Sequence, residues 1–405
     1  MFKEMGPHQL ISSIERTKTF FCVLGVIFFS HEIFAQKKAA PKLENSHFAD
    51  PQRDLTGQGS VVLDENETAA FSNPAGIGGN PLAAKRKSLI RQLDFPYIST
   101  SSNAAGASFY QGLGLENSTL SSSLKTATTL NQSTGENLFA RTSFVPNIVL
   151  GRLMIGAIYD QQIASVPNVD SATSADIAYR QDSGAFAGLS VSDPKGRLTI
   201  GASIATVQRK SLAGTFDLAA YEDDAAWKQA GSDNTINLSG TPKNLGLTWR
   251  FLNKANPALA ASISDFGGTE YTGGSNTVAP DQSKDSDQYS RENLTLGSGI
   301  QPNLSNWGKF GLSVQAQHLS DRRIKTKEVF ASTMSLDLFP RDPANHYFQV
   351  KTGYQSQGVG FGATLDLGLI RAQYTNFPRN IDADAETLIE RRSTISIAVN
   401  VADPF

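Results

Sequence analysis

The chain has 405 residues, 40% of them hydrophobic, with Lys+Arg 36 against Asp+Glu 38 and a formal net charge of -2. That balance carries no basic excess of the kind a nucleic-acid surface needs. With a mean hydropathy of -0.25 and a single long apolar run, the sequence also excludes a bundle of membrane-spanning helices.

That run lies near the start. Lys3, Arg16 and Lys18 flank it, and Phe20 to Phe29 is uninterrupted apolar sequence. It is shorter than the roughly 20 residues a bilayer crossing needs and has the length of a signal-peptide core. Residues 1–35 are therefore expected to be a signal peptide cleaved near Ala35, with a membrane anchor as the alternative. Cys22, the only cysteine, falls inside it. The mature chain then has no disulfide, no thiolate metal site and no cysteine nucleophile.

Residues 36–85 form an N-terminal segment. Its first half is polar and aperiodic, and 61–85 is too rich in Gly, Pro and Asn to be one helix. From residue 86 to 405 a period of two recurs. Leu153, Ile155, Ala157 and Tyr159 share one phase, followed by Ala185, Ala187, Leu189 and Val191. Leu198, Ile200, Ala202 and Ile204 come next, then Leu245, Leu247, Trp249 and Phe251. Leu312, Val314 and Ala316 repeat the pattern, and Val359 to Leu369 is its longest run. Alternation of this kind is a strand with one apolar face, and roughly 12–14 such segments occur. Tight turns at Asp193–Gly196 and Asn253–Pro257 alternate with polar insertions at 213–243, 267–290 and 379–391. Short turns on one rim and long loops on the other are the signature of an antiparallel transmembrane β-barrel. Leu120–Leu130 and Leu218–Ala230 are read as either short helices or plain loop. Many inward positions are expected to be alanine or glycine.

The final strand alternates Ile395, Ile397, Val399 and Val401 with Thr394, Ser396, Ala398 and Asn400, and Phe405 falls in the apolar phase. It resembles the closing strand of bacterial outer-membrane barrels, which implies that Ile397, Val399, Val401 and Phe405 signal to the barrel assembly machinery. The alternative is an edge strand of a soluble sandwich. Residues 55–79 read LTGQGSVVLDENETAAFSNPAGIGG. With Glu65, Ala69, Ala70, Phe71, Asn73, Pro74, Ala75 and Gly76 at the matching positions, this segment resembles the FadL-type outer-membrane transport proteins and their PorV-like relatives. The resemblance implies an all-β fold: a barrel of about 14 strands with an N-terminal luminal plug, in which Phe71, Asn73, Pro74, Ala75 and Gly76 form a hatch. It further implies a bacterial outer-membrane location and passage of small hydrophobic, fatty-acid- or lipid-like ligands. The alternative it leaves open is a structural or partner-binding barrel. Outer-membrane lipid is an expected partner. Homo-oligomers are common among such barrels, and nothing in the sequence sets a number. Arg209, Arg250 and Arg371, with Lys210, are candidate anion contacts, and a solvated charge is the alternative for each.

No cofactor or metal is expected, and no enzyme. There is no H-E-x-x-H, no phosphate-binding glycine loop and no G-x-S-x-G. Of the five histidines, His318 lies two residues before Ser320, so on a strand the pair would share a face. The sequence that follows, Asp-Arg-Arg, supplies no oxyanion site, and the pair is read as interfacial rather than catalytic.

Overall fold

The chain divides into two compact units, 1–38 and 39–405. The computed structural model describes residues 41, 43, 44, 46–56, 69–77, 90–113, 119–168, 171–221, 223–251, 253–273, 289–305, 307–321, 329–340, 346–380 and 389–400, all in the second unit. The expected signal peptide, Glu65, Gly78, Gly79, Val401 and Phe405 lie outside the described residues.

Fourteen antiparallel strands close into one barrel. In ring order they are β1 (Ile90–Ser102), β2 (Leu138–Phe144 with Asn147–Leu150), β3 (Leu153–Pro167), β4 (Ser174–Ser192) and β5 (Leu198–Asp217). Next come β6 (Ile236–Gly240 with Lys243–Arg250), β7 (Ala258–Ser264), β8 (Asn293–Ile300 with Asn303–Ser305) and β9 (Gly308–Ala316). The ring ends with β10 (Phe330–Pro340), β11 (His346–Gln355), β12 (Gly358–Asp366), β13 (Ile370–Asn380) and β14 (Ile389–Asn400). Closure is between β1 and β14, in a register that sets Ile98 against Ile397 and Ser102 against Ser393. Two-residue turns such as Gly151–Arg152 mark one rim, while residues 103–137, 218–235 and 265–292 connect strands at the other.

Each of the three divided strands breaks at a proline: Pro146, Pro242 and Pro302. Proline cannot donate to a ladder, so the strand is interrupted where it stands. Its carbonyl still accepts, from Ala157, Ala205 and Phe310 respectively, at 3.0, 2.9 and 3.0 Å. The register against the neighbouring strand that donates runs through each break without a shift, so the wall is continuous there.

The two faces of the wall differ in chemistry. Leu198, Ile200 and Ile204 point out and are exposed, as are Leu245, Leu247, Trp249, Met334, Val350, Ile395 and Ile397. On the inner face sit Ser143, Asp160, Gln162, Thr199, Ser203, Asn244, Thr248, Ser313, Gln315, Gln349, Thr394 and Ser396, all buried. An apolar exterior with a polar interior, closed on itself between β1 and β14, is a barrel built to cross a membrane. Trp249 stacks on Phe251 at 5.6 Å, an outward pair at the short-turn rim. None of the helices among the described residues is long and apolar enough to cross a membrane.

The expectation of alanine and glycine on the inner face is corrected: hydroxyls, amides and guanidiniums dominate it. The alternation from Val359 to Leu369 also overruns its strand. β12 ends at Asp366, where Asp366 Oδ1 accepts from the Gly368 backbone at 2.8 Å and turns the chain. The insertion at 213–243 is shorter than it reads, because β5 continues to Asp217 and β6 begins at Ile236.

Two N-terminal helical turns precede the barrel, α1 (Pro51–Thr56) and α2 (Ala69–Ser72). The long-loop rim carries α3 (Ala104–Leu113), α4 (Leu120–Thr134) and α5 (Asp224–Asp233). Thr119 and Asp223 cap α4 and α5, each side chain accepting from the third residue on, the usual way to satisfy an open first turn. These helices share a hydrophobic cluster with the tall ends of β2 to β5: Phe109, Leu124 and Trp227 lie with Leu138, Ile163, Ile177, Leu212 and Phe216. The wall residues of that cluster continue the outward phase of their strands.

Candidate functional site

Residues 46–56 and 69–77 lie against the inner face. Asn73 begins the second contact. It is extended (φ -147°, ψ 99°) and its Oδ1 accepts from Ala75 N at 3.1 Å, with Pro74 at the first position of a 3-10 turn, Pro74–Gly76. An extended residue before proline is what ring sterics require, and the fixed φ of Pro74 favours the turn. The Asn73 side chain also donates from Nδ2 to Thr248 Oγ1 on β6 at 3.1 Å. A Cβ on Gly246 would collide with Asn73 Oδ1, and one on Gly201 with the Pro74 carbonyl. The wall is glycine where this backbone touches it, the close approach that only glycine permits.

Wall side chains replace the backbone partners this irregular segment lacks. Ser203 and Asn244 donate to the Ala70 carbonyl, Ser262 to that of Ser72, and Ser190 Oγ to that of Ile77 at 2.6 Å. A buried carbonyl without such a partner costs about 1–3 kcal/mol, so the hydroxyl-rich wall suits a non-strand backbone against it.

Phe71 enters an apolar sector. Its ring meets Phe186 of β4 at 4.8 Å and Phe48 at 5.2 Å, both edge-on, a favoured arrangement for aromatic pairs. Val149, Met154, Ile158, Val207 and Tyr97 complete this cluster. It coats one side of the lumen, mostly over β2 to β6 and reaching Tyr97 on β1 and Ala398 on β14, and the remaining wall is polar.

The other contact is electrostatic. Arg141 of β2 holds Asp160 of β3 through two hydrogen bonds at 2.7 and 3.0 Å, and donates to Ser46 Oγ and O at 2.7 and 2.8 Å. Arg209 of β5 grips Asp182 of β4 at 2.8 and 2.9 Å, and its guanidinium stacks over Tyr271 at 3.8 Å. His47 Nδ1 reaches the same carboxylate at 3.7 Å. Glu44 pairs with Arg392 at 2.7 Å and Arg379 at 3.2 Å. Asp54 Oδ2 accepts from Thr394 Oγ1 at 2.6 Å, and Arg379 lies 3.7 Å from its other oxygen. Burial pushes the Asp54 carboxyl up to about 6 although Arg379 and Thr394 pull it down. Gln355 Nε2 donates to the Leu55 carbonyl at 2.8 Å.

Of the residues singled out in the sequence, Phe71, Asn73, Pro74, Ala75 and Gly76 come together on β4 to β7. Arg209, Arg250 and Arg371 do not come together as one anion site. Arg209 serves Asp182, Arg371 donates to Asp366 at 3.0 and 2.8 Å across a turn, and Arg250 is buried near the short-turn rim. Ile397 and Val399 face outward on β14. His318 and Ser320 leave the ladder: His318 has φ 57°, and Ser320 Oγ donates to the Glu292 carbonyl at 2.6 Å, a loop-holding role. Sequence reading missed Arg141, Asp160, Asp182, Arg379 and Arg392, and also Arg180 of β4, which donates to the Ser46 carbonyl at 3.0 Å. Their signal was available, because each occupies the phase opposite to the apolar set of its strand, where a charge must face the lumen.

No protein-family model matches the chain, and no curated protein matches it in sequence. Solved structures do. The Ralstonia pickettii toluene transporter TbuX is similar over 89% of this chain and 100% of its own, at 12% identity and a TM-score of 0.46. The P. putida toluene transporter TodX covers 87% and 97%, at 12% identity and TM-score 0.43. A Pseudomonas aeruginosa FadL homologue covers 90% and 100%, at 13% identity and TM-score 0.32.

Proposed function

We propose that the protein binds or passes small hydrophobic molecules across a bacterial outer membrane, with residues 61–79 of the N-terminal segment as a displaceable hatch. The observation that carries this reading is the asymmetric lumen. An otherwise polar wall has one apolar sector, and the segment's own Phe48 and Phe71 occupy it. Apolar pockets with a few placed polar groups are the usual form of small-molecule sites. Here the segment holds a ligand's place, and its withdrawal would leave Phe186, Met154 and Val149 for an apolar guest. The substrate class stops at small and hydrophobic. A fatty-acid carboxylate would have to displace Glu44 from Arg379 and Arg392.

Deletion of Val61–Gly79 tests the hatch. In proteoliposomes the deleted protein is expected to pass a small aromatic tracer faster than the full chain. An unchanged flux would remove the hatch role.

A second reading, a partner-binding barrel without transport, is favoured by the many bonds that fix residues 44–56. Native mass spectrometry of the detergent-purified protein separates the two: a retained apolar small molecule supports passage, and an empty barrel with a second protein supports the partner reading.

A further inference from the structure

The outward face of β4 and β5 passes through three zones along the strands. Leu198, Ile200, Ala202 and Ile204 form the apolar belt on β5; Thr206, Gln208 and Lys210 follow; then Leu212 and Phe216 are covered by the helical cluster. β4 runs in step, with Val191, Leu189 and Ala187 opposite the belt, Ala185, Ser183 and Gln181 opposite the polar zone, and Tyr179 and Ile177 opposite the covered zone. The middle zone is therefore a polar strip between the hydrocarbon level and the helices, on the side of the wall that faces lipid.

A cavity of about 700 Å³ opens in that strip. It exists because β7 stops at Ser264. The chain then turns through positive φ at Asp265, Gly267 and Gly268 (51°, 78° and 77°). It rejoins the wall where Thr272 and Ser239 exchange hydrogen bonds at 2.8 Å. Between this return and the strand break at Pro242 the outer wall is notched. Thr206, Gln208, Ser183, Ser239, Thr241 and Glu270 line it. Hydroxyls, an amide and one carboxylate, with no cation among them, suit the hydroxyls of a sugar. The volume is within the range of small-molecule sites, roughly 300–1,000 Å³. Two exposed lysines of the same outward phase bracket the notch: Lys210, two residues beyond Gln208, and Lys243, two beyond Thr241. Lysine is a ready partner for phosphate as a point charge.

We propose that this notch binds the sugar headgroup of a phosphorylated glycolipid in the leaflet next to the long loops. Its acyl chains would lie on Ala202, Ile204 and Ala187, its sugar in the notch, and its phosphates at Lys210 and Lys243. The site opens on the outer wall.

The test uses the full-length, delipidated protein in detergent, titrated with an acylated, bisphosphorylated glucosamine disaccharide. Phosphatidylglycerol is the sugar-free control and the deacylated disaccharide the lipid-free one. The glycolipid is expected to bind best. T206V/Q208L, two exposed strand positions, is expected to weaken it about tenfold, the effect of losing one or two hydrogen bonds, with phosphatidylglycerol binding unchanged. K210Q/K243Q is expected to weaken both anionic lipids. Resistance of the barrel to unfolding in detergent at room temperature confirms that each variant is folded. Equal binding of phosphatidylglycerol, unchanged glycolipid binding in T206V/Q208L, or full competition by the deacylated disaccharide at equal concentration would overturn the proposal.

Discussion

Asp54 shows how one side chain can set the hold of the N-terminal segment on the wall. Its carboxyl, raised by burial to about 6 from an ordinary 3.8, meets Arg379, Thr394 and, across Arg379, the like charge of Glu44. A raised carboxyl favours the neutral form in the docked state. The docking penalty is complete above pH 6, falls away as pH drops from 6 toward 4, and is absent below the ordinary value. A shift of this size corresponds to at most about 3 kcal/mol. Acidification from pH 7.5 to 5 is therefore expected to slow amide hydrogen exchange in α1, after correction for intrinsic rates, and Asp54→Asn should be slow at both. Loosening of α1 on acidification would show instead that the Arg379 pair outweighs burial. Nothing in the sequence marks this residue, since an aspartate in a polar, aperiodic stretch reads as solvated. Its environment comes from β13 and β14, more than 300 residues further on in the case of Thr394.

At the level of elements, the strands were legible and their partners were not. Period-two alternation identifies β3, β4, β5, β6 and β14 with the correct outward phase, because a membrane wall must expose every second residue to lipid. Register is invisible to that pattern. It takes the pairing of β2 with β3 and of β4 with β5 to turn Arg141, Asp160, Asp182 and Arg209 into ion pairs. Helix α3 has no counterpart in the sequence reading; within it Gly106 is a contact, since a Cβ there would strike the Phe139 carbonyl. The Asn-Pro-Ala-Gly motif was legible as an irregular segment, while its seat at Gly201 and Gly246 was not. That seat allows the motif to be detached without touching it. Gly246→Ala is expected to displace Asn73 and expose residues 69–77 to protease, with the barrel still resisting unfolding in detergent. Protease resistance equal to wild type would show that the wall can yield at this point.

Across the whole molecule, the barrel is lopsided. β3, β4 and β5 have 15, 19 and 20 residues, whereas β12 has 9 and β9 has 9. Roughly 9–11 residues suffice for a tilted crossing, so the extra length of β4 and β5 stands outside the apolar belt, where α3, α4 and α5 cover it. Two apolar clusters result. One joins the N-terminal segment to the lumen, and the other joins the helices to the projecting wall. Composition could not separate them, because both draw on the same alternating strands. They do not share a residue, and so they should fail separately. Trp227 is the test: it is fully buried, with Phe216 stacked at 6.3 Å and Tyr221 at 5.0 Å. Truncating a buried Trp usually costs about 3–5 kcal/mol. Trp227→Ala is expected to raise hydrogen exchange in α4 and α5 and leave β9 to β14 and residues 69–77 as slow as before. If exchange rose around the whole ring, the projecting wall and the spanning barrel would be one cooperative unit, and the helices would contribute to the stability of the membrane-spanning part itself.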